Sequence, residues 1–362
     1  MQHDRSPEVT PMSLARSIAR TRLCEILDAL PTLSIGVIGD LALDAYWTAD
    51  MKRSLLSRET PRFPRPVIRE FYSPGAGANV AHNLAVMGIG HVSAFSVLGD
   101  DWRGRILDHE MTHRGIDTAP IIVSPKRSTT TYIKPILTGY ESEQEDARLD
   151  FENANPLTDD LEQALVGQIT HEIDDLDALL VADQIEVNGV ITERVRDALN
   201  RLASDHPEKV LAVDSRQRIG LFRNMILKPN WMEATKALYP ERDARALSIE
   251  ALTEIGKRLC KQCGQPVFLT LSESGVLVCT AETCQHIPAA PVRPPLDPVG
   301  AGDAFISAAV SAMVAGASPA EAGAIANLAA AVVIEKLNQT GTASPVEILE
   351  RYDLACSAEE RT

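Results

Sequence analysis

Short apolar segments alternate with helical segments along most of this chain of 362 residues. Three of these segments are LSIGVIG (33–39), DALLVAD (177–183) and KVLAVDS (209–215), and each contains an unbroken run of four or five residues without a polar side chain. Helical segments such as 103–113 and 190–203 lie between them. Strands that are apolar on both faces and joined by helices predict a mostly parallel sheet with helices on both sides. The predicted fold class is therefore α/β, with three α/β/α layers.

Two segments, 46–72 and 128–152, interrupt this alternation. They are polar and rich in proline or β-branched residues, and we expect them to form a small extra sheet that acts as a lid over a site. For the rest of the chain, we expect 1–31 to form an N-terminal extension with a short helix, 32–350 to form the main domain and 351–362 to form a tail. Within the extension, residues 1–12 are expected to be disordered, and Ser13 to cap the helix that runs to about Leu30.

Composition excludes several classes of partner. The net charge of −15 argues against nucleic acid, which is bound by clustered Lys and Arg side chains. The longest apolar stretch, 304–317, is too short to span a bilayer, and the N-terminus does not resemble a signal peptide. We therefore expect a cytoplasmic protein that binds neither nucleic acid nor membrane.

The chain contains six cysteines, which a cytoplasmic protein is expected to keep reduced. Four of them follow a C-x2-C, C-x4-C order that approximates zinc-ribbon spacing, so a structural zinc is the less favoured alternative. The six are Cys24, Cys260, Cys263, Cys279, Cys284 and Cys356.

The segment DPVGAGDAF (297–305) stands directly before an apolar helical stretch. The backbone amides of Gly300, Ala301, Gly302 and Asp303 would lie at the positive N-terminus of that helix, where phosphate charge is favoured. A carboxylate among phosphates is suited to accept the proton of a hydroxyl during phosphoryl transfer. The segment therefore predicts a kinase that acts on an alcohol, and an Asp303 that only caps the helix is the alternative.

A second set of polar and glycine residues follows the first strand. Asp40 and Asp44 lie just past its carboxyl end, where open α/β sheets bind ligands. The turn PGAGAN (74–79) precedes a helix and supplies Gly75, Gly77 and an amide side chain, Asn79. The G-x-G-x-x-G spacing of dinucleotide-binding proteins is absent, which disfavours a dehydrogenase.

Asp44, the 75–79 turn, Asn230-x-x-Glu233 and the GAGD loop occur in this order, and together they resemble the ribokinase-like (PfkB) carbohydrate kinase family from about residue 33 to about residue 345. The resemblance implies a ribokinase-like fold with a small β-sheet lid. It implies that Asp303 is the catalytic base and that the amides of residues 300–302 stabilise the transferred phosphate. Asn230 and Glu233 are implied to arrange Mg²⁺ through water, with a helix-cap role as the alternative for Asn230.

The same resemblance implies the substrate and nucleotide contacts. The sugar hydroxyls would be bound by Asp44 and Asn79, with Gly75 and Gly77 allowing close approach, whereas Asp40 would support the loop. ATP would be contacted by Thr270, Ser272, Gly275, Asn338 and Gly341. Ser272 and Ala76 replace glycines of the family pattern. ATP and Mg²⁺ are the expected cofactors, and a monovalent cation is a further candidate.

One branch of the family matches best. Segments 39–47 and 57–68, together with RLDFE (148–152), resemble bacterial heptose 7-phosphate kinases, although Arg62 stands where that branch has Glu. The resemblance implies a substrate that is already phosphorylated, and the lid supplies cations that would clamp it, with Arg58 as the substrate contact. These cations are Lys52, Arg53, Arg58, Arg62, Arg65 and Arg69.

Two alternatives to this function and two further expectations complete the prediction. Another acceptor, such as ketodeoxygluconate, fructose or a nucleoside, is the alternative within the kinases, and a non-catalytic sugar-kinase-like binding protein is the alternative outside them. Family members often pair their lids, so a homodimer is expected. The nucleotidyltransferase domain fused to some relatives has no room in this chain, so kinase activity alone is expected.

Overall fold

The computed structural model describes residues 17–337 and 340–359. Its helices are α1 (Arg20–Ala29), α2 (Gly77–Val86), α3 (Trp102–His113), α4 (Asp159–Glu172), α5 (Glu193–Asp205), α6 (Trp231–Leu238), α7 (Ile249–Cys263), α8 (Ala301–Val314), α9 (Pro319–Ile334) and α10 (Pro345–Glu359). Its strands are β1 (Ser34–Gly39), β2 (Leu41–Asp50), β3 (Val67–Ala76), β4 (His91–Phe95), β5 (Val97–Gly99), β6 (Ile116–Asp117), β7 (Ile122–Ser124), β8 (Thr131–Thr138), β9 (Gln144–Glu145), β10 (Leu149–Phe151), β11 (Ala178–Asp183), β12 (Val210–Ser215), β13 (Ile226–Leu227), β14 (Val267–Thr270), β15 (Val276–Cys279) and β16 (Cys284–Ile287). Within these ranges, none of the helices is long and apolar enough to cross a membrane.

The main sheet has nine strands in the order β16-β15-β14-β13-β12-β11-β1-β4-β6. Neighbouring strands are parallel from β6 to β14, and only the pairs that involve β15 are antiparallel. In the centre, Val37 of β1 lies opposite Leu180 of β11 on one side and Ala94 of β4 on the other. The predicted mostly parallel sheet is confirmed.

The two faces of this sheet bury separate hydrophobic clusters. Leu180 of β11 belongs to a cluster with α2, α8 and α9, whereas its neighbour Leu179 belongs to a cluster with α4, α5 and α7. Successive strand residues point to opposite faces, so a strand covered on both sides must be apolar at every position. This requirement explains the continuous apolar runs and confirms the three layers.

The smaller sheet, which we call the lid, is built from the two segments that interrupt the alternation. Its strands follow the order β10-β8-β2-β3, and β9 pairs with β8. β2 leaves the main sheet directly after β1, with Asp40 between them, so the lid is attached at the carboxyl end of a central strand. The predicted extra sheet is confirmed, and it stands over the edge of the main sheet where ligands bind.

Several local predictions differ from the structure. The apolar run VSAFSVLG (92–99) predicts one strand, but the structure divides it between two strands, β4 and β5, in different sheets. Helix α4 was not predicted. The boundary expected at residue 350 falls inside α10, whose Ile348, Tyr352 and Ala355 are buried. Both helices carry apolar residues at spacings of three or four, a pattern that predicts a helix with one buried face. Residues 1–12 and Ser13 lie outside the described residues.

The expectation that all cysteines are reduced is wrong for one pair, because Cys279 and Cys284 form a disulfide. These residues are direct cross-strand partners in the antiparallel pair β15–β16, which brings their side chains together. No group of three or more metal-ligating side chains occurs within residues 17–337 and 340–359. The disulfide uses two of the four cysteines that the zinc alternative needs as thiolates.

Candidate active site

A cavity of about 540 Å³ lies between the lid and the carboxyl ends of the main-sheet strands. Its wall includes Asp44 of β2, Lys134 of β8, Gln184 after β11, Asp214 of β12 and Asp303 of α8. Because parallel strands end at one edge of the sheet, residues distant in sequence meet there. This volume falls within the range of small-molecule sites.

One wall of the cavity is the N-terminus of α8. Gly300 precedes the helix with a φ of 82°, a left-handed conformation that glycine adopts without a steric penalty. No side chain caps this end of the helix, and Gly300, Gly302 and Asp303 line the cavity. The first turn therefore presents its amides and its partial positive charge to whatever occupies the cavity.

Asp303 is enclosed by protein but open to the cavity, and both of its carboxylate oxygens accept hydrogen bonds. Asn79 Nδ2 donates to Oδ2 at 2.7 Å, and Gln184 Nε2 donates to Oδ1 at 3.0 Å. Burial raises the pKa of Asp303 to about 6, the two amides oppose this rise, and nearby Asp214 adds to it. At neutral pH the carboxylate is therefore mostly ionised yet more basic than an ordinary aspartate, as a general base requires.

A buried cation lies beneath the same helix end. Lys228 Nζ is 3.1 Å from Asp214 Oδ2, and a Cβ atom added to Gly302 would lie 3.5 Å from that Nζ. Burial alone would lower the pKa of Lys228, but the charges of Asp214 and Glu233 outweigh it and raise the pKa. The ammonium group stays protonated and adds positive charge where a phosphate would contact α8.

Asn230 and Glu233 form a capping box at the start of α6. Asn230 Oδ1 accepts from the Glu233 backbone N–H at 2.9 Å, and the Asn230 N–H donates to Glu233 Oε2 at 2.8 Å. The helix-cap alternative for Asn230 is what the structure shows. Glu233 also lines the cavity, where burial and Asp214 raise its pKa.

These carboxylates fit a Mg²⁺ ion. Mg²⁺ is usually held by one or two protein carboxylates together with water and substrate phosphates, rather than by a cage of protein ligands. Glu233 and Asp214 supply two carboxylates on the cavity wall. Burial raises the pKa of Glu233, and the charge of Asp214 adds to the rise against that of Lys228, so a cation beside these carboxylates would stabilise the ionised form of Glu233.

Asp44 lies on the lid side of the cavity. Thr340 Oγ1 donates to its Oδ2 at 3.0 Å, and Lys134 Nζ lies 3.7 Å from Oδ1. A Cβ atom on Gly75 would lie 3.0 Å from the Asp44 carboxyl carbon, so glycine leaves room for the protein's own carboxylate. Burial raises the pKa of Asp44, and the charge of Lys134 opposes the rise.

Both residues that replace family glycines have positive φ angles. Ala76 lines the cavity with a φ of 51°, and Ser272 has a φ of 54°. Residues with a Cβ atom rarely adopt this region, which gives a physical reason for glycine at both positions.

The structure places the other predicted residues at varying distances from the cavity. Gly77 packs against Asp40, whose carbonyl accepts the Gly77 N–H at 2.8 Å. Gly341 lies against Gly300, because a Cβ atom on Gly300 would be 3.4 Å from the Gly341 backbone. Thr270 pairs with Asn230 in an isolated parallel bridge. Ser272, Gly275 and Arg58 do not line the cavity, and Asn338 lies outside the described residues.

The predicted basic residues of the lid, Lys52, Arg53, Arg58, Arg62, Arg65 and Arg69, are exposed and do not line the cavity either. The cations of the cavity wall are instead Lys134, Arg148 and Arg216, together with Lys228. On the lid side and beside β12, the positive charge of the cavity wall therefore comes from β8, the segment before β10 and the residue after β12.

Sequence reasoning also missed Gln184, Asp214 and Lys228. Asp214 and Gln184 stand at the carboxyl ends of strands, and the rule that singled out Asp44 applies equally to them. Lys228 is a buried lysine two residues before Asn230. A lysine directly after a short apolar segment is rarely buried without a partner, and this pattern in the sequence could have identified it.

Comparison with known proteins identifies relatives over nearly the whole chain. The profile described as pfkB family carbohydrate kinase matches residues 65–347. The bifunctional protein HldE of Trichlorobacter lovleyi is 32% identical over 327 residues, which cover 89% of this chain and 63% of that protein. The protein of the same name from Shewanella piezotolerans is 32% identical over 333 residues, which cover 89% and 65% respectively. The chain thus spans less than two thirds of the length of these relatives.

Solved structures share the fold. Phosphofructokinase-2 from Escherichia coli, in complex with potassium, superposes with a TM-score of 0.70 at 17% identity, covering 90% of this chain and 99% of that one. Ribokinase from Thermotoga maritima gives a TM-score of 0.63 at 20% identity, covering 89% and 99%. The ribokinase-like fold is confirmed.

Proposed function

Because this chain belongs to the pfkB family of carbohydrate kinases, we propose that it transfers the γ-phosphoryl group of ATP to a hydroxyl of a sugar or sugar phosphate. One observation carries the proposal. Asp303 lies in the first turn of α8, between the Asn79 and Gln184 amides and beside the helix N-terminus. A base and a phosphate site thus share one cavity, as direct transfer to an alcohol requires.

The groups have separate roles in the transfer. Asp303 accepts the proton of the acceptor hydroxyl while the hydroxyl oxygen forms a bond to the γ-phosphorus, and the bond from that phosphorus to the β–γ bridging oxygen breaks to release ADP. The amides at the start of α8 and the Lys228 ammonium stabilise the charge on the transferred group. Closure of the lid over the cavity would exclude water as a competing acceptor.

Glu233 and Asp214 would hold Mg²⁺ directly or through water, with Asn230 fixing Glu233 by the capping box. When bound, Mg²⁺ neutralises phosphate charge. A monovalent cation is a further proposal, supported by the potassium complex of Escherichia coli phosphofructokinase-2. Contacts of Thr270, Ser272, Gly275 and Gly341 with the nucleotide remain proposals, of which Gly341 has the best support through its position against Gly300.

We propose that the acceptor already carries a phosphate, with heptose 7-phosphate as the first candidate. Lys134, Arg148 and Arg216 place positive charge on the cavity wall beside Asp44. Among the described residues, Lys134 lies near Asp44 and Arg148 is paired with Asp150, whereas Arg216 has no carboxylate within ion-pair distance. Arg216 is therefore the cation with most capacity left for an anionic substrate group.

The acceptor is tested by ADP release with Mg-ATP across heptose 7-phosphate, fructose 6-phosphate, their unphosphorylated forms, ketodeoxygluconate and a nucleoside. We expect the greatest turnover on a sugar phosphate, and Arg216→Ala should raise the KM for that acceptor about tenfold, the value of roughly one lost charged contact. Arg201→Ala, on the exposed face of α5, is the control. Greatest turnover on a neutral sugar would overturn the proposed acceptor, and no turnover would favour the binding protein.

A homodimer also remains a proposal. The lid exposes large apolar side chains, which commonly mark an interface. They are Leu55, Leu56, Phe63, Val67, Ile68 and Phe71. Light scattering after size-exclusion chromatography should give twice the chain mass of 39.3 kDa. A mass of one chain would contradict the dimer.

A further inference from the structure

Gln184 is the first residue after β11, and it lies outside the motifs that indicate the family. Its side chain is buried, and Nε2 donates to one oxygen of Asp303 at 3.0 Å. Asn79, on α2, donates to the other oxygen at 2.7 Å. The Asp303 carboxylate is therefore held from two sides by amides that belong to two different elements.

The backbone of Gln184 is itself anchored by a buried carboxylate. Asp40 is 4% exposed and accepts three backbone N–H groups, from Gln184 at 3.2 Å, Ile185 at 2.8 Å and Val190 at 2.7 Å. A Cβ atom on Gly189 would lie 2.8 Å from Asp40 Oδ1, so the segment 184–190 closes tightly around this carboxylate. A buried charge with three N–H donors makes a rigid attachment, because loss of any donor is costly.

The opposite side of segment 184–190 is also fixed. Arg218 pairs with the buried Asp183 and donates to the Ile185 carbonyl at 2.9 Å. Arg127 donates to the Asn188 carbonyl at 2.9 Å. These contacts involve no substrate group, yet together they determine where the side chain of Gln184 begins.

We propose that Gln184 is a positioning residue for the reaction, whose amide, fixed by the Asp40-anchored segment 184–190, orients the Asp303 carboxylate and stabilises its anionic form. The inference deepens the proposed function and rests on it for the role of Asp303 as base. One oxygen is held by Asn79 and the other by Gln184, which restricts rotation of the carboxylate, and Asp303 lines the cavity.

The electrostatic consequence has a definite direction. Hydrogen bonds donated to a carboxylate favour its charged form, and here they oppose burial and the charge of Asp214. Loss of one such bond should raise the pKa of Asp303 by about one unit, because a hydrogen bond to a charged group is among the stronger ones. Asp214 and Lys228, the charged groups that act on Asp303, are unchanged by substitution at Gln184.

The direct test uses Gln184→Met, which keeps the side-chain length but removes the N–H donor. The ¹³C shift of the Asp303 carboxyl is followed against pH in full-length protein labelled at aspartate, and the signal is identified by its loss in Asp303→Asn. We expect the titration midpoint to rise by about one pH unit. Gln163→Met, on an exposed position of α4, is the matched control. An unchanged midpoint in Gln184→Met would overturn the inference, whether or not the protein is a kinase.

Turnover gives a second, independent readout. The acidic limb of the kcat profile should move up by the same one pH unit in Gln184→Met, with activity recovering above about pH 8 and the KM for ATP changing less than about twofold. A purely structural defect would instead lower kcat by one factor at every pH. If Gln184→Met fails to fold, Gln184→Asn, whose amide is too short to reach Asp303, should show the same two shifts. A shifted titration midpoint of the Asp303 carboxyl in a protein without turnover would overturn the kinase proposal but support the hydrogen bond from Gln184 to Asp303.

Discussion

The raised pKa of Asp303 implies that this carboxylate destabilises the fold at neutral pH. Its pKa is about 6 in the folded protein against an ordinary value of 3.8, mainly because it is buried. The folded protein therefore binds the proton more tightly than the unfolded chain, and protonation stabilises the fold. The stability is fully present below pH 3.8 and is lost as the pH rises through about 6.

Asp303→Asn removes this titration, so the difference between the two proteins isolates it. Linkage with these two pKa values gives wild type a relative gain of about 1.4 kcal/mol between pH 7.5 and pH 5, and solvent in the cavity reduces this to about 1 kcal/mol. The asparagine side chain of the variant must face two amide donors, which changes the free energy of unfolding by a constant amount that does not depend on pH. Turnover should fall about a thousandfold at the same time.

The assay is urea unfolding of both proteins at half-unit steps from pH 5 to pH 7.5, followed by far-UV circular dichroism. Asp108→Asn, on the exposed face of α3, measures the effect of removing one surface charge. We expect the gap between wild type and Asp303→Asn to move by about 1 kcal/mol in favour of wild type as the pH falls. Two curves that stay parallel over the whole range would show that Asp303 does not have a raised pKa, and would refute the reasoning.

Two further substitutions test the surroundings of the base. Lys228→Met leaves the buried Asp214 carboxylate without its partner at 3.1 Å. The free energy of unfolding in urea should fall by about 3 kcal/mol, and adding Asp214→Asn to the same chain should largely restore it. A fall of less than about 1 kcal/mol would contradict the buried pair. Ala76→Gly relieves a positive φ of 51° that costs about 2 kcal/mol, and added chain entropy offsets about 1 kcal/mol. A net gain of about 1 kcal/mol is expected by the same assay, and a loss would show that Ala76 is not strained.

Much of the fold follows from local pattern. Continuous apolar strands between helices predicted the parallel sheet, and the polar insertions predicted the lid. A strand buried on both faces is apolar at successive positions, whereas a strand with one exposed face alternates apolar and polar residues. The split of residues 92–99 into two sheets could not be predicted in this way. Both halves, β4 and β5, are buried, and which sheet each joins depends on partners distant in sequence, β1 and β7.

Site residues that belong to a sequence motif were predicted, and those that only the fold places at the cavity were missed. Asp303 and Asp44 stand in recognisable segments and line the cavity. Gln184 and Arg216 belong to no such segment, and they reach the cavity wall only because β11 and β12 end at the same edge of the sheet. The basic residues predicted for the lid do not line the cavity. All but Arg69 lie on the segment between β2 and β3, and a cluster of charge in the sequence does not determine where the fold places that segment.

Phosphoryl transfer itself is tested most directly by incubating the protein with Mg-ATP and heptose 7-phosphate and measuring the product by mass spectrometry. Wild type should add one phosphoryl group to the acceptor, with ADP formed in equal amount, and Asp303→Asn should form product about a thousandfold more slowly. If neither heptose 7-phosphate nor any of the other acceptors named under Proposed function gains a phosphoryl group, the kinase proposal fails. If Asp303→Asn forms product at the wild-type rate, Asp303 is not the base.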